Sequence, residues 1–250
     1  MKRYITYEIR NNLGNFMSMI FGFLMPLFMT ILIFHAYKGQ MPKDSVGDFA
    51  TQIYLTNIIM IPMAMILIGF AATYSQEIEQ GVTRRLELFG YVHKKQMIAK
   101  FGGQLIVVVS AILLYTIIIC IALPLHAPKF GSLFAYLLCV FALILMIFLI
   151  AYAIAMLTQK FSVAFGITMS VYFGVMICSG MMGVTAEQFP KPVRFVAELL
   201  PTTRMVEIFP DAWNGKLGNV APLIQAFLLC YGITGLLLFL VVRKNKRKKY

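Results

Sequence analysis

Polar and apolar residues fall along this chain in blocks, not position by position. Six runs contain no Asp, Glu, Lys or Arg: residues 11–37, 49–76, 101–128, 130–159, 161–186 and 217–242. Each exceeds the roughly 20 residues that a helix needs to cross a hydrocarbon layer about 30 Å thick. Strands of a membrane barrel would instead alternate polar and apolar positions over about ten residues. The pattern therefore predicts an all-α membrane protein with six transmembrane helices, their cores near 16–36, 53–75, 101–123, 133–157, 163–182 and 220–242. Too little chain lies outside them for a soluble domain, so 1–250 reads as a single transmembrane domain. The first run follows Lys2 and Arg3 like a signal peptide, but it is too long and no small-residue cleavage site follows Phe34, so it reads as a true span.

Composition agrees with this reading: 60% of residues are hydrophobic and 13% charged, and the mean hydropathy is +0.81. The basic residues then orient the chain. An even number of spans puts both termini on one side, and the segments on that side (1–15, 76–100, 158–162 and 243–250) hold 15 of the 22 Lys and Arg. The positive-inside rule makes that side cytoplasmic. The basic tail from Arg243 to Lys249 reads as a stop-transfer anchor on anionic headgroups. Nothing folded surrounds it, so nucleic acid is not an expected partner. Cys120, Cys139, Cys178 and Cys230 all fall in spans without metal-ligand spacing and read as small apolar residues.

The spans are also informative for what they lack. No ionisable Asp, Glu, Lys or Arg lies within a core, which argues against ion-coupled transport. His35 sits at the outer end of span one, where an interfacial role is expected. No catalytic motif and no phosphate loop is present, and Gly102-Gly103-Gln104 at the start of span three reads as close helix packing. Any power for transport must come from another chain. The mild polar residues of the spans, such as Thr30, Gln104, Thr116 and Thr234, are expected to satisfy one another or backbone carbonyls. Asn57, in Tyr54-Leu55-Thr56-Asn57, stands beside Met60 and Met63, a flexible face suited to apolar ligands. In span five, Gly166, Ser170 and Gly174 form a small-residue stripe, with Tyr172 beside it.

The segment 75–100, SQEIEQGVTRRLELFGYVHKKQMIAK, packs eight charges between two apolar runs. On a helix over 82–93, Val82, Leu86, Phe89 and His93 share one face, and Arg84, Glu87 and Tyr91 the other. Gly81 permits the turn before it and Gly90 permits a turn near its end. Read from the residues alone, the segment is equally an ordinary charged loop or a helix that docks on a partner protein.

The pattern Glu77-x-Glu79-x-Gly81-x-Thr83-x-Arg85-Leu86 is similar to the E-x-E-x-G-T-x-x-R-L stretch of ABC-2 type transporter permeases, with the threonine one residue nearer the Arg-Leu pair. Ser179-Gly180-Met181-Met182, Phe189-Pro190 and Leu200-Pro201-Thr202-Thr203-Arg204 resemble that family's outer region in order and spacing. The resemblance implies the ABC-2, type V exporter-like, transmembrane domain in a bacterial plasma membrane. It implies a second permease as partner, identical or paralogous, and two copies of an ABC ATPase subunit. ATP and Mg would be bound by that ATPase and no cofactor by this chain, which would not itself be an enzyme.

On the same resemblance Glu77, Glu79, Gly81, Thr83, Arg84, Arg85, Leu86, Glu87 and Phe89 would couple to the ATPase, and Tyr4 to Asn12 would lie along the membrane surface. Spans two and five would face the transport path, with Tyr54, Asn57, Met60, Met63, Ser170 and Tyr172 along it. Short helices in 183–219 would close the path externally. That loop carries four basic and four acidic residues. Pro192 to Leu200 fits a helix ended by Pro201, and Phe189, Phe209 and Trp213 fit a membrane interface. The expected cargo is an amphipathic or hydrophobic compound such as a drug, peptide antibiotic or lipid-like molecule. A lipid-linked polysaccharide or teichoic acid, or an ATP-independent channel or scaffold, are the alternatives.

Overall fold

The computed structural model describes residues 2–181, 188–215 and 218–247, with side chains described from Arg3 to Lys244 of these. The expectations for the end of span five at Met182, the first part of the outer loop and the last basic residues lie outside the described residues. Among the described residues the structure is helical, and all six expected spans are present: Phe16–Gln40, Lys43–Glu79, His93–Ala122, Phe130–Thr158, Phe161–Cys178 and Ala221–Lys244. A multi-pass membrane protein follows. Below, "terminal side" means the side of the bundle that carries both chain ends, and "distal side" the other.

Span two is the axle of the bundle. It is buried along its apolar length, with spans one, three, four and five packed around it, whereas span six packs on span four and on an outer helix. A helix apolar all round is expected to be buried on all sides, and span two is the one that realises this. The others keep apolar faces such as Leu113, Ile117, Phe134 and Leu236 exposed, as membrane helices facing lipid do.

Spans one and two both widen into π-helix, at Ile20–Leu24 and Met63–Phe70. The second of these begins just after Pro62, which has no N–H to give and whose ring crowds the preceding turn. The two spans cross closely here. A Cβ on Gly22 would collide with Met65 Cγ, and one on Gly69 would fall 2.5 Å from Ser18 Oγ. The Met65 carbonyl accepts from Gln104 Nε2 at 2.9 Å and from Ser18 Oγ at 3.5 Å, so side chains satisfy the backbone where the helix is irregular. Asn15 begins span one by accepting the Ser18 N–H, and its amide donates to the Gly69 carbonyl.

The outer region corrects the sequence reading in two respects. Pro201 does not merely end a helix. Lys191–Glu198 is followed by a second helix, Pro201–Trp213, which starts on that proline, where a missing N–H costs nothing. Phe209 and Trp213 do not lie on the surface either, being buried against Tyr136 with ring centroids 4.8 and 5.9 Å away. Trp213 donates its indole N–H to the His126 carbonyl at 2.9 Å. Salt bridges from Arg194 and Arg204 hold Glu198 between the two outer helices, and the Arg194 hydrogen bond draws its pKa below the usual carboxylate value.

Candidate functional site at the terminal side

An additional helix, Lys2–Leu13, precedes span one and packs along the start of span three. It meets span three where a Cβ on Gly103 would lie 2.7 Å from the Glu8 Cβ. The Gly102-Gly103 pair is thus a helix-packing site. One turn earlier, Lys100 reaches back into the crevice between this helix and span two. Its Nζ stands 2.8 Å from Glu8 Oε1, 2.9 Å from Glu77 Oε1 and 2.8 Å from Glu77 Oε2. Lys100 and Glu8 are each only 3% exposed. The Tyr74 ring lies beneath the ammonium, 5.7 Å from its centroid, a favourable cation–π position. Tyr4 completes the wall, and burial, with the nearby carboxylates of Glu8 and Glu77, pushes its phenol pKa up.

Sequence reasoning missed this cluster. The charges stand just outside the apolar cores, so the cores themselves stay free of ions, but the helices run on past them and bury Glu77 and Lys100. A lone Lys at the edge of a hydrophobic run reads as an orientation signal. Its two partners come from positions 92 and 23 residues away, a pairing that spacing does not reveal.

Beyond Glu77 the chain turns at Gly81, whose φ is +70°, into the short helix Val82–Leu88. Here the expected helix over 82–93 is corrected. It stops at Leu88, and His93 opens span three instead. Gly90, at φ +85°, ends it: Gly90 N–H bonds to the Glu87 carbonyl and Tyr91 N–H to the Leu86 carbonyl, the pairing that closes a helix on a left-handed residue. Val82, Leu86 and His93 still face inward and are half-buried, but Phe89, expected on that face, swings out because the helix no longer continues through it. Leu88 and Phe89 are 82% and 80% exposed. The pair forms an apolar tip.

The tip stands on a braced platform. Gln96, fully buried, donates to the Tyr91 carbonyl at 2.7 Å and the Thr83 carbonyl at 3.4 Å, tying both ends of the turn to span three. Arg85 donates to the Gln80 carbonyl at 3.0 Å. Glu79 accepts the Phe161 N–H at 2.8 Å, so a carboxylate sits on the first turn of span five, where the helix dipole favours it. His93 reaches Tyr152 of span four at 3.1 Å. Of the expected coupling residues, Glu77 and Glu79 are braces, Gly81 is the turn and Thr83 lends a carbonyl. Arg84, Arg85 and Glu87 lie exposed beside the tip.

The expected pathway residues are not brought together. Met60 and Met63 are buried among span two's neighbours. Tyr54 stacks on Tyr115, ring centroids 5.8 Å apart, and donates to or accepts from Thr116. Tyr172 is buried, its hydroxyl without a partner among the described residues. Ser170 is exposed on span five, its hydroxyl bonded to the Gly166 carbonyl. Asn57 borders an open cavity at the distal side, and Tyr54 borders a separate, largely apolar one against spans three and four.

The sequence profile of the ABC-2 type transporter family matches residues 2–212. No curated protein and no solved structure matches the chain. The match begins within the N-terminal helix and takes in the braced turn, five spans and nearly all of the second outer helix. This chain belongs to the ABC-2 type transporter family, as the membrane-embedded permease component of an ABC transporter.

Proposed function

We propose that this permease is the membrane subunit of an ATP-driven exporter for amphipathic or hydrophobic compounds, working as a dimer of permeases on two ATPase subunits. Both termini, and with them the Val82–Leu88 turn, stand in the cytoplasm, as the distribution of basic residues favours. The observation that carries the reading is the Leu88-Phe89 tip: two large apolar side chains more than three-quarters exposed, set on backbone held by Gln96 and the Lys100 cluster. An aqueous apolar knob is costly unless a partner covers it, and mixed charges beside it suit a protein surface better than lipid. The coupling runs from tip to Glu79 and span five on one branch and through Glu77 and Lys100 to the N-terminal helix on the other. ATP binding would draw the two tips together, and the braces would pass that motion to the spans.

The test is purification of the chain from its native membranes with whatever associates, alongside the Leu88→Ser/Phe89→Ser variant. We expect the native complex to hydrolyse ATP, and the variant to lose the ATPase subunit at least about tenfold while keeping its fold, since two buried anchors of this kind commonly carry about 2 kcal/mol or more each. A native complex without ATPase, or a Phe89→Cys side chain labelled only from outside the cell, overturns the reading.

A further inference from the structure

A cavity of about 550 Å³ opens at the distal side between span one, span two, the end of span five and the outer helix Pro201–Trp213. That volume suits a drug-sized ligand. Its walls are largely apolar, with Ile33, Phe49 and Val206 among them, and its polar edge is unusual.

Asn57 sets the floor. Thr30 Oγ1 lies 2.8 Å from the Pro26 carbonyl, 2.7 Å from the Tyr115 hydroxyl and 2.8 Å from Asn57 Nδ2. A hydroxyl has one hydrogen and two acceptor sites. The Pro26 carbonyl takes the hydrogen, so Thr30 must accept from both Tyr115 and Asn57. This fixes the Asn57 amide with its nitrogen toward Thr30, because the reversed amide would set two acceptors against each other. Among the described residues Asn57 Oδ1 is then left without a partner, although the residue is only 1% exposed. A buried acceptor of this kind calls for a donor.

The mouth supplies charge of one sign. Glu207 and Asp211 line it one helical turn apart, and no Lys or Arg is among the described lining residues. Arg204 engages Glu207 at 2.9 Å. Asp211 has no ion pair or hydrogen bond among the described residues. The cavity therefore offers an apolar wall and a carboxylate at its mouth, and beneath its floor the Asn57 oxygen lies covered and unpaired among the described residues.

We infer that this cavity binds a cationic amphiphile, a protonated amine on an apolar body, whose ammonium is drawn in past Asp211 and donates to Asn57 Oδ1 as the floor opens to admit it. The inference rests on the permease reading for calling that ligand the cargo, and on the cavity alone for its chemistry. It excludes an anionic lipid-linked glycan from this site, since Asp211 would repel it.

The test uses the intact permease in nanodiscs of zwitterionic lipid and three dansyl probes on one alkyl chain: a primary amine, its N-acetyl derivative and its trimethylammonium derivative. The amine should bind about tenfold tighter than the neutral acetamide, the scale of one charged hydrogen bond. Asp211→Asn, a change at an exposed position, should bring both cations down to the acetamide. Asn57→Leu should weaken the amine about tenfold and leave the trimethylammonium probe, which has no hydrogen to donate, within twofold. Equal binding of amine and acetamide overturns the inference, as does a cation preference that survives Asp211→Asn/Glu207→Gln. Neither result touches association with an ATPase. Loss of that association would sink the permease mechanism and leave the binding result standing.

Discussion

The two ends of span two are fastened in different ways. At the terminal side its last turns are fastened by charge: Glu77 to Lys100, Lys100 to Glu8, and Glu79 to the start of span five. At the distal side the same helix leans on aromatic rings, Tyr54 against Tyr115 and Trp213, and borders an open cavity. Ionic hydrogen bonds in a dry crevice tolerate little displacement, because any lengthening exposes an uncompensated charge. Ring faces can slide with small loss, since dispersion is spread over many weak contacts. One end is built to move as a body and the other to adapt its shape.

The sharpest way to break that comparison is to remove the charge at the fastened end. Lys100→Met leaves Glu8 and Glu77 facing each other in a buried site, and loss of one partner of a buried pair costs about 3–5 kcal/mol. We expect a large fall in thermal stability in detergent and poor recovery from the membrane. Replacing all three groups together, Glu8→Leu/Lys100→Met/Glu77→Leu, should restore most of the stability, because well-packed apolar residues commonly substitute for a buried ionic cluster. A single Lys100→Met that melts like the parent would show that the cluster does not hold the N-terminal helix.

The next effect tests the same joint sterically. Gly103→Val places new atoms where the Glu8 Cβ already stands, 2.7 Å from even a first carbon, and overpacking of this sort costs about 1–3 kcal/mol. The N-terminal helix should lift, and proteolysis within Lys2–Leu13 should speed up. At the distal end, Gly180→Ala alters a residue that lines the cavity and has a φ of +75°, so its cost is backbone strain of about 1 kcal/mol.

Much of this architecture was legible in the chain. The six spans follow from length and hydropathy alone, and Gly81 and Gly90 mark both turns of the exposed segment because only a residue without Cβ sits easily at positive φ. The braces were not legible. Glu8 lies in a helix whose amphipathic pattern is short, and its partner Lys100 looks like one more basic residue at a membrane edge. The Val82 helix is shorter than its periodicity predicts for a related reason: the pattern runs on through Phe89 and His93, while Gly90 breaks the backbone between them. Asn57 stood out as the polar residue within an apolar span, but that its oxygen is the unpaired atom depends on Thr30, Pro26 and Tyr115 meeting around it.

A smaller effect separates hydrogen bonding from packing at the distal end. Tyr136, buried between Phe209 and Trp213, donates its hydroxyl to the Leu55 carbonyl at 2.7 Å. Tyr136→Phe keeps the ring and removes one neutral hydrogen bond, a loss of about 1 kcal/mol. Melting should fall by a few degrees, and the cavity, lined by other residues, should keep its affinity for the amine probe within twofold. A melting loss as large as that of Lys100→Met would mean that polar contacts fasten the distal end as firmly as the terminal one. The contrast between a rigid base and an adaptable mouth would then have to be abandoned, since both ends of span two would resist displacement by the same means.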